Sequence, residues 1–493
     1  MYDFPKYKDI EEQLRAMGLY ECIFHTKVRC CGAMLGHLIF NADKLGFCCA
    51  SSSGFNKKLP LFPYLKTAEE TILNFLKNKE IMINELTTRK QMTVAKPCIT
   101  CRKLRNKNHL FGLTKIKSIN ISCYPSICQA KCIFCGIHKS SHNTYEKAKH
   151  SNYPKVIAEI LTYLKANGYI NDDCSFIVAP AEITIMPHKD LLLEAISGYK
   201  AEFLTNGFIF NSKIANSMKD NGSFIKVSVD SGTRETFQLI KGFDIYEKLL
   251  SNLLKYRKYG YISIKYIVIP GVNDSDANFN GILNLLDTLK LNEMMISYEY
   301  GMPIRSCFYS ITRLVKKLQK KEKNFRFYPY YTEKQIQDFI NIYYSNSHEE
   351  HMIDCEQKIN MYEKLFYQEY KNDYGSYRKF VYKTELIDLL KLFNKETRFC
   401  LLNGEKNKEI LSAFNELSLD LILVNSSLEE IYEEQKDRID VFVTRNKGNF
   451  NNLQSFLMSK GKEKALLDIE KYMYSVEPKQ VFLENNILEK YYQ

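Results

Sequence analysis

The stretch CYPSICQAKCIFCGIHKS, residues 123–140, places four of the chain's fifteen cysteines within thirteen positions. Cys128, Cys132 and Cys135 stand in the spacing C-x3-C-x2-C. Three thiolates that close together can hold three irons of a [4Fe–4S] cube and leave the fourth iron without a protein ligand. An iron without a side-chain ligand can take a substrate or cofactor. Zinc is the alternative metal, but a structural zinc site wants four ligands, so Cys123 or His138 would have to complete the set.

A second group of thiols lies upstream, in VRCCGAMLGHLIFNADKLGFCCASSSG and KPCITCRK. One thiolate from the doublet Cys30/Cys31, one from Cys48/Cys49, and the C-x2-C pair Cys98 and Cys101 would make a closed four-thiolate site for [4Fe–4S] or zinc. Which member of each doublet ligates is open at this level. The bland reading of the doublets is buried small apolar residues, since free cysteine is among the most buried residue types. Cys22, Cys123, Cys174, Cys307, Cys355 and Cys400 read as core or surface thiols.

The elements that must position these residues follow from hydrophobic periodicity. Residues 1–108 form a cysteine-rich region with helices expected at Ile10–Met17 and Thr67–Leu86. From about Lys115, the runs KIKSINIS, CSFIVAP, AEFLT, FIKVSVD, SIKYIVIP and MMISYEY read as buried strands. Between the first two, Ile157, Ile160, Leu161 and Leu164 share one helical face, with Pro154 near its start and Gly168 at its end. Strands alternating with such helices imply right-handed parallel βαβ units. Six of them over residues 109–305 curl into a partial (β/α)6 barrel, with any chemistry at the C-terminal ends of the strands. Residues 306–385 read as an α-helical connector, and residues 386–493 as a small Rossmann-like α/β domain. Its first turn carries a lone Gly404, without the further glycines of a dinucleotide fingerprint; assembly or partner recognition is the expected role.

Composition bounds the functional classes. The chain has 493 residues, with 45% hydrophobic and 26% charged residues, ordinary for a soluble globular protein of two to four domains. Its first residues are charged throughout, and no apolar run approaches the ~18 residues of a membrane span. The expectation is a cytoplasmic protein without membrane contact, in whose reducing surroundings cysteines serve as metal ligands or reactive thiols before disulfides. The net charge of +12 comes mostly from scattered lysines and forms no basic arm, so it is the sole argument for a nucleic-acid partner.

The cysteine loop and the segments behind it resemble the radical S-adenosylmethionine (SAM) superfamily. Phe134 occupies the aromatic position between the second and third cysteines. APAEITI resembles the family's Gly-Gly-Glu segment, with Pro180 and Ala181 in place of two glycines and Glu182 in the acidic position that meets the amino group of SAM. In VSVDSGTRETFQLIKG, Ser228 and Asp230 match the strand end where polar groups of SAM are met, and Lys241 replaces a frequent arginine. YIVIPGVND resembles the strand whose apolar end, here Val268 and Ile269, flanks the adenine. The resemblance implies an enzyme that reductively cleaves SAM at a [4Fe–4S] cluster and abstracts hydrogen through a 5'-deoxyadenosyl radical. It implies no catalytic side chains beyond the cluster ligands, and a flavodoxin- or ferredoxin-type electron donor. The N-terminal cysteines resemble in kind the SPASM or twitch extensions that hold auxiliary clusters. A peptide or protein, or a sugar or glycan precursor, are the substrate classes it suggests, with RNA third. A metal-bearing scaffold without catalysis is the alternative of another class.

Overall fold

The computed structural model describes residues 26–30, 34, 36–41, 44–47, 61–88, 98, 105–109, 115–122, 127–135, 151–327, 348–391, 397–402, 408–419, 421–424, 441–444 and 465–468. The chain divides into two compact units, Met1–Ser228 with Lys241–Ile264, and Val229–Ile240 with Lys265–Gln493. The helix expected at Ile10–Met17 lies outside the described residues.

The first unit opens with β1 (Thr26–Cys30), β2 (His37–Asn41), β3 (Lys44–Gly46), β4 (Phe62–Pro63), α1 (Ala68–Thr88) and β5 (Arg105–His109). There follow β6 (Ile116–Ser122), α2 (Tyr153–Ala166), β7 (Ile170–Val178), α3 (Lys189–Ala195), β8 (Ala201–Thr205), α4 (Ser212–Asn221) and β9 (Phe224–Ser228). Within this unit the strands lie in the order β9-β8-β7-β6-β2-β3-β4, and β9 through β2 are all parallel. The strands and the helix α2 fall where periodicity places them: Pro154 sits in the first turn, Ile157, Ile160, Leu161 and Leu164 are buried, and Gly168 takes the left-handed conformation past the end (φ 72°). The pairing of β2 with β6, from His37↔Ser118 to Asn41↔Ser122, was not expected. Through it the segment read as a separate N-terminal extension contributes strands to the core sheet.

The strand register sorts this sheet into two faces. Ile119, Ile121, Phe176, Val178, Phe203, Ile225 and Val227 share one face by their pairing and are all fully buried. The opposite face carries Ser118, Asn120, Ser175, Ile177, Glu202, Leu204, Phe224 and Lys226. Most of these are partly exposed, and Lys226 is ion-paired with Glu202. Alternation of period two thus gives the unit one dry face and one mixed, polar face.

After α5 (Arg234–Lys241), α6 (Tyr246–Arg257) and β10 (Ile262–Val268), the second unit contains α7 (Asp276–Thr288), β11 (Glu293–Tyr298), α8 (Ile304–Lys320) and β12 (Asn324–Phe327). β12 pairs in parallel with β11, so one further strand lies in the segment read as a helical connector. It is short and follows a charged helix, which leaves it little periodic signal. Next come α9 (His348–Leu365), α10 (Tyr374–Leu390), β13 (Phe399–Leu402), α11 (Lys408–Glu416), β14 (Leu421–Val424), β15 (Val441–Thr444) and β16 (Ala465–Asp468). The last four strands are parallel in the order β14-β13-β15-β16. Leu386, Leu389 and Leu390 of α10 share a core with Phe399, Leu401, Ile410, Phe414, Val441 and Val443. The chain is therefore mixed α/β with a largely parallel sheet. Among the described residues no helix is long and apolar enough to cross a membrane.

The two faces respond differently to truncation. Phe203→Ala, on the dry face, should cost about 3–5 kcal/mol in urea unfolding, whereas Ser175→Ala on the mixed face should change stability by about 0.5 kcal/mol or less. Equal costs at the two positions would contradict the assignment of faces.

Candidate functional site

The loop 127–135 follows the C-terminal end of β6 and is seated by the buried Ile127 and Ala130. Cys128, Cys132 and Cys135 are partly exposed and outside any disulfide. The Cys135 N–H donates to the Cys132 carbonyl at 3.0 Å, which closes a turn between the last two cysteines. The Asn206 amide, just past β8, donates to Cys128 Sγ at 3.6 Å. Burial pushes the Cys128 thiol up to about 12, opposed by the hydrogen bonds from Ala130 and Asn206 and reinforced by the negative charges of Glu182 and Cys132.

Glu182, only 1% exposed, begins the short 3-10 turn Ile183–Ile185 beyond β7. Its Oε1 accepts the Thr184 N–H (3.0 Å), the Thr184 hydroxyl (2.7 Å) and the Thr205 hydroxyl (2.8 Å). Its Oε2 accepts the Asn206 N–H at 2.7 Å. Burial raises the carboxyl pKa, and these four donors act in the opposite direction. The result is a tie across the C-terminal ends of two adjacent strands, continued by the Asn206 side chain, whose Oδ1 accepts from Gln129 Nε2 (3.4 Å) and from the Phe208 N–H (3.0 Å). Glu182, Asn206 and the cysteine loop thus form one connected group. TNG, residues 205–207, reads in sequence as an ordinary turn; the part Asn206 plays depends on a partner 78 residues away.

Ser228 ends β9 and is partly buried. In the second unit Asp230 has a left-handed backbone (φ 57°) and is fully buried. Its Oδ1 accepts the Ile267 N–H at 2.8 Å. The Asn273 amide donates to the carbonyls of Asp230 (2.8 Å) and Ile267 (2.7 Å), and its Oδ1 accepts the Ile269 N–H at 2.8 Å. Val268 and Ile269 are fully buried, with the strand exit held on both sides by side-chain amide and carboxylate. The Tyr377 hydroxyl on α10 donates to the Pro270 carbonyl at 2.7 Å, and Tyr367 donates to Val272 at 3.4 Å. The helices expected as a connector therefore brace the turn that follows β10.

Of the upstream thiols, Cys98 is buried, 8% exposed. Cys30 lies in β1, opposite Arg105 of β5. Cys31, Cys48, Cys49 and Cys101 lie outside the described residues, as does Cys123. Cys174, Cys307 and Cys400 are buried free thiols, as core cysteines should be. Among the described residues no three His, Cys, Asp or Glu side chains converge on a single metal ion. The donor set at 128–135, three thiols on one loop, suits a group held through one thiolate per iron.

Residues 124–279 match the model of the Radical SAM superfamily. The match runs from the cysteine loop through Glu182 and Asp230 to the helix after Asn273, and over this segment the chain is similar to that superfamily of enzymes. An uncharacterized protein of Methanocaldococcus jannaschii is 25% identical over 206 residues, covering 40% of this chain and 62% of its own. Among solved structures, Streptococcus suis SuiB bound to precursor peptide SuiA aligns at 13% identity over 55% of this chain and 60% of its own, with a TM-score of 0.36. Native anSMEcpe with bound AdoMet aligns at 15% identity over 42% and 63%, with a TM-score of 0.33. The chain spans about three-fifths of the length of these proteins.

The turn after β10 also carries a buried acid. Burial pushes Asp274 up to about 6, against hydrogen bonds from Ser310 and Gly271 and the nearby Arg313 charge. A carboxyl with a raised folded-state pKa holds its proton more tightly when folded, so its contribution to stability is present below its ordinary value and is lost as pH rises through about 6. Urea unfolding of wild type and Asp274→Asn at about pH 4.5 and about pH 7 should show the wild type losing on the order of 2 kcal/mol relative to the variant across that interval. Parallel pH profiles would contradict this.

Proposed function

We propose that this chain holds a [4Fe–4S] cluster through Cys128, Cys132 and Cys135, binds SAM beside it, and abstracts hydrogen from a polar substrate of the peptide or sugar class. The observation that carries the reading is the connected group of Glu182, Asn206 and the three-cysteine loop, which gives the thiols a fixed seat at the ends of β6, β7 and β8. When bound, the cluster and SAM supply a one-electron reductive cleavage that yields methionine and a 5'-deoxyadenosyl radical. The protein's part is binding, orientation and exclusion of water. Glu182 and Asn206 orient the loop, and the buried Ile127 and Ala130 keep solvent from beneath it.

The mixed face of the first unit's sheet supports the choice of a polar substrate. Ser118, Asn120, Ser175 and the Glu202–Lys226 pair offer both donors and acceptors there, and the buried Asn120 Oδ1 has no protein donor. A low-potential donor of the flavodoxin or ferredoxin type would deliver the electron. A second [4Fe–4S] cluster on Cys98, Cys101 and one thiol from each of Cys30/Cys31 and Cys48/Cys49 belongs to the same proposal and rests on the pattern of these cysteines in the sequence. It would accept the electron that the substrate radical, left after hydrogen abstraction, gives up as it is oxidised. The scaffold alternative rests on Pro180 and Ala181, yet the carboxylate that follows them keeps four donors.

On protein reconstituted anaerobically with iron and sulfide and reduced with dithionite, Cys132→Ala should release no 5'-deoxyadenosine. Cys98→Ala should retain that release with less iron per chain. Wild-type release from Cys132→Ala would overturn the assignment of the loop, and undiminished iron in Cys98→Ala would overturn the second cluster.

A further inference from the structure

Resting on the assignment of the loop to an iron–sulfur cluster, we infer that Lys241 is a positioning residue that latches the cluster loop and raises the cluster's reduction potential. Lys241 ends α5, and its carbonyl accepts the Lys131 N–H at 2.9 Å, between the first two cysteines of the loop. Two cation–π contacts cross the same junction in opposite directions. Lys131 Nζ stands 5.7 Å from the centroid of Phe243, and Lys241 Nζ stands 5.9 Å from that of Phe134. At Gly242, which has φ 75°, a Cβ would lie 2.9 Å from Lys131 Cβ, so glycine permits both the conformation and the approach. The junction is therefore built from both sides.

The charge is what matters beyond packing. Lys241 is 2% exposed, and its ammonium lies over the ring of Phe134, the residue directly before Cys135. A charge placed in so little water interacts strongly with its neighbours and is weakly screened by salt. Three thiolates outweigh the positive charge of the iron–sulfide core, so the centre they hold is anionic, and it becomes more so when it accepts one electron. A fixed cation stabilises the reduced state more than the oxidised state and moves the potential upward, as charge and burial do generally for such centres. The step is a single electron from an external low-potential donor into the cluster, with no bond made or broken.

The test is the midpoint potential of the reconstituted cluster, read by electron paramagnetic resonance during dithionite titration in the absence of SAM. Lys241→Met keeps the chain length and apolar stem and removes the charge; Lys241→Arg keeps the charge. With wild-type iron content, Lys241→Met should shift the one-electron equilibrium toward the oxidised state by tenfold or more, 59 mV to the negative, and Lys241→Arg should restore it. An unshifted potential in a fully loaded Lys241→Met overturns the inference and leaves the lysine a packing residue or a contact of SAM alone. Where Lys241→Met folds but holds less iron, Lys241→Arg decides: recovery of iron and potential supports the inference, and failure to recover them overturns it. A wild-type protein that assembles no cluster overturns the underlying assignment instead.

Discussion

The candidate site depends on one buried carboxylate. Glu182 is withdrawn from water at the end of β7, where an ionised group left alone would carry a penalty of several kcal/mol. Four donors meet it, and hydrogen bonds to a charged acceptor contribute about 1.5–3 kcal/mol each. Because these donors come from Thr184, Thr205 and Asn206, satisfying the carboxylate fixes the end of β7 against the end of β8. Asn206 then carries that constraint to Cys128. Without the carboxylate, buried N–H and O–H groups would lack their acceptor, and the seat of the cysteine loop would lose its reference point.

The second unit solves a similar problem with different groups. There the exit of β10 is held by Asp230 and Asn273, whose side chains complete the hydrogen bonds of Ile267 and Ile269. Tyr377 reaches the same turn from α10. In both units buried polar side chains serve backbone groups at the C-terminal ends of strands, β7 and β8 in the first and β10 in the second, where backbone leaving a sheet would otherwise have unpaired donors and acceptors. These ends are also where α/β barrels place their chemistry. Glu182 and Asp230 are both deeply buried, each holding a strand end through its carboxylate.

Much of this was legible in the residue order. The spacing of Cys128, Cys132 and Cys135 marked out a loop of thiols, and that loop opens the segment, residues 124–279, that matches the radical SAM model. The run AEFLT became β8 with the same limits, because short buried strands with period-two alternation and flanking turns announce themselves locally. What remained hidden was non-local. The five residues of β2 give no sign that they pair with β6, about eighty positions later. Asn206 acquires its role from Cys128, and Tyr377 from Pro270, 107 residues apart. The helical region was read from its charge as a connector, while its tyrosines, which bind it to the β10 exit, were indistinguishable in sequence from surface aromatics.

The claim that this loop is a SAM-binding cluster site is tested most directly by electron paramagnetic resonance of the reconstituted, dithionite-reduced protein, recorded with and without SAM. A [4Fe–4S] signal whose g values move when SAM is added is the expected result, since only an iron left open by three cysteine ligands can be perturbed by that molecule. A reduced-cluster signal that SAM leaves unchanged would contradict it.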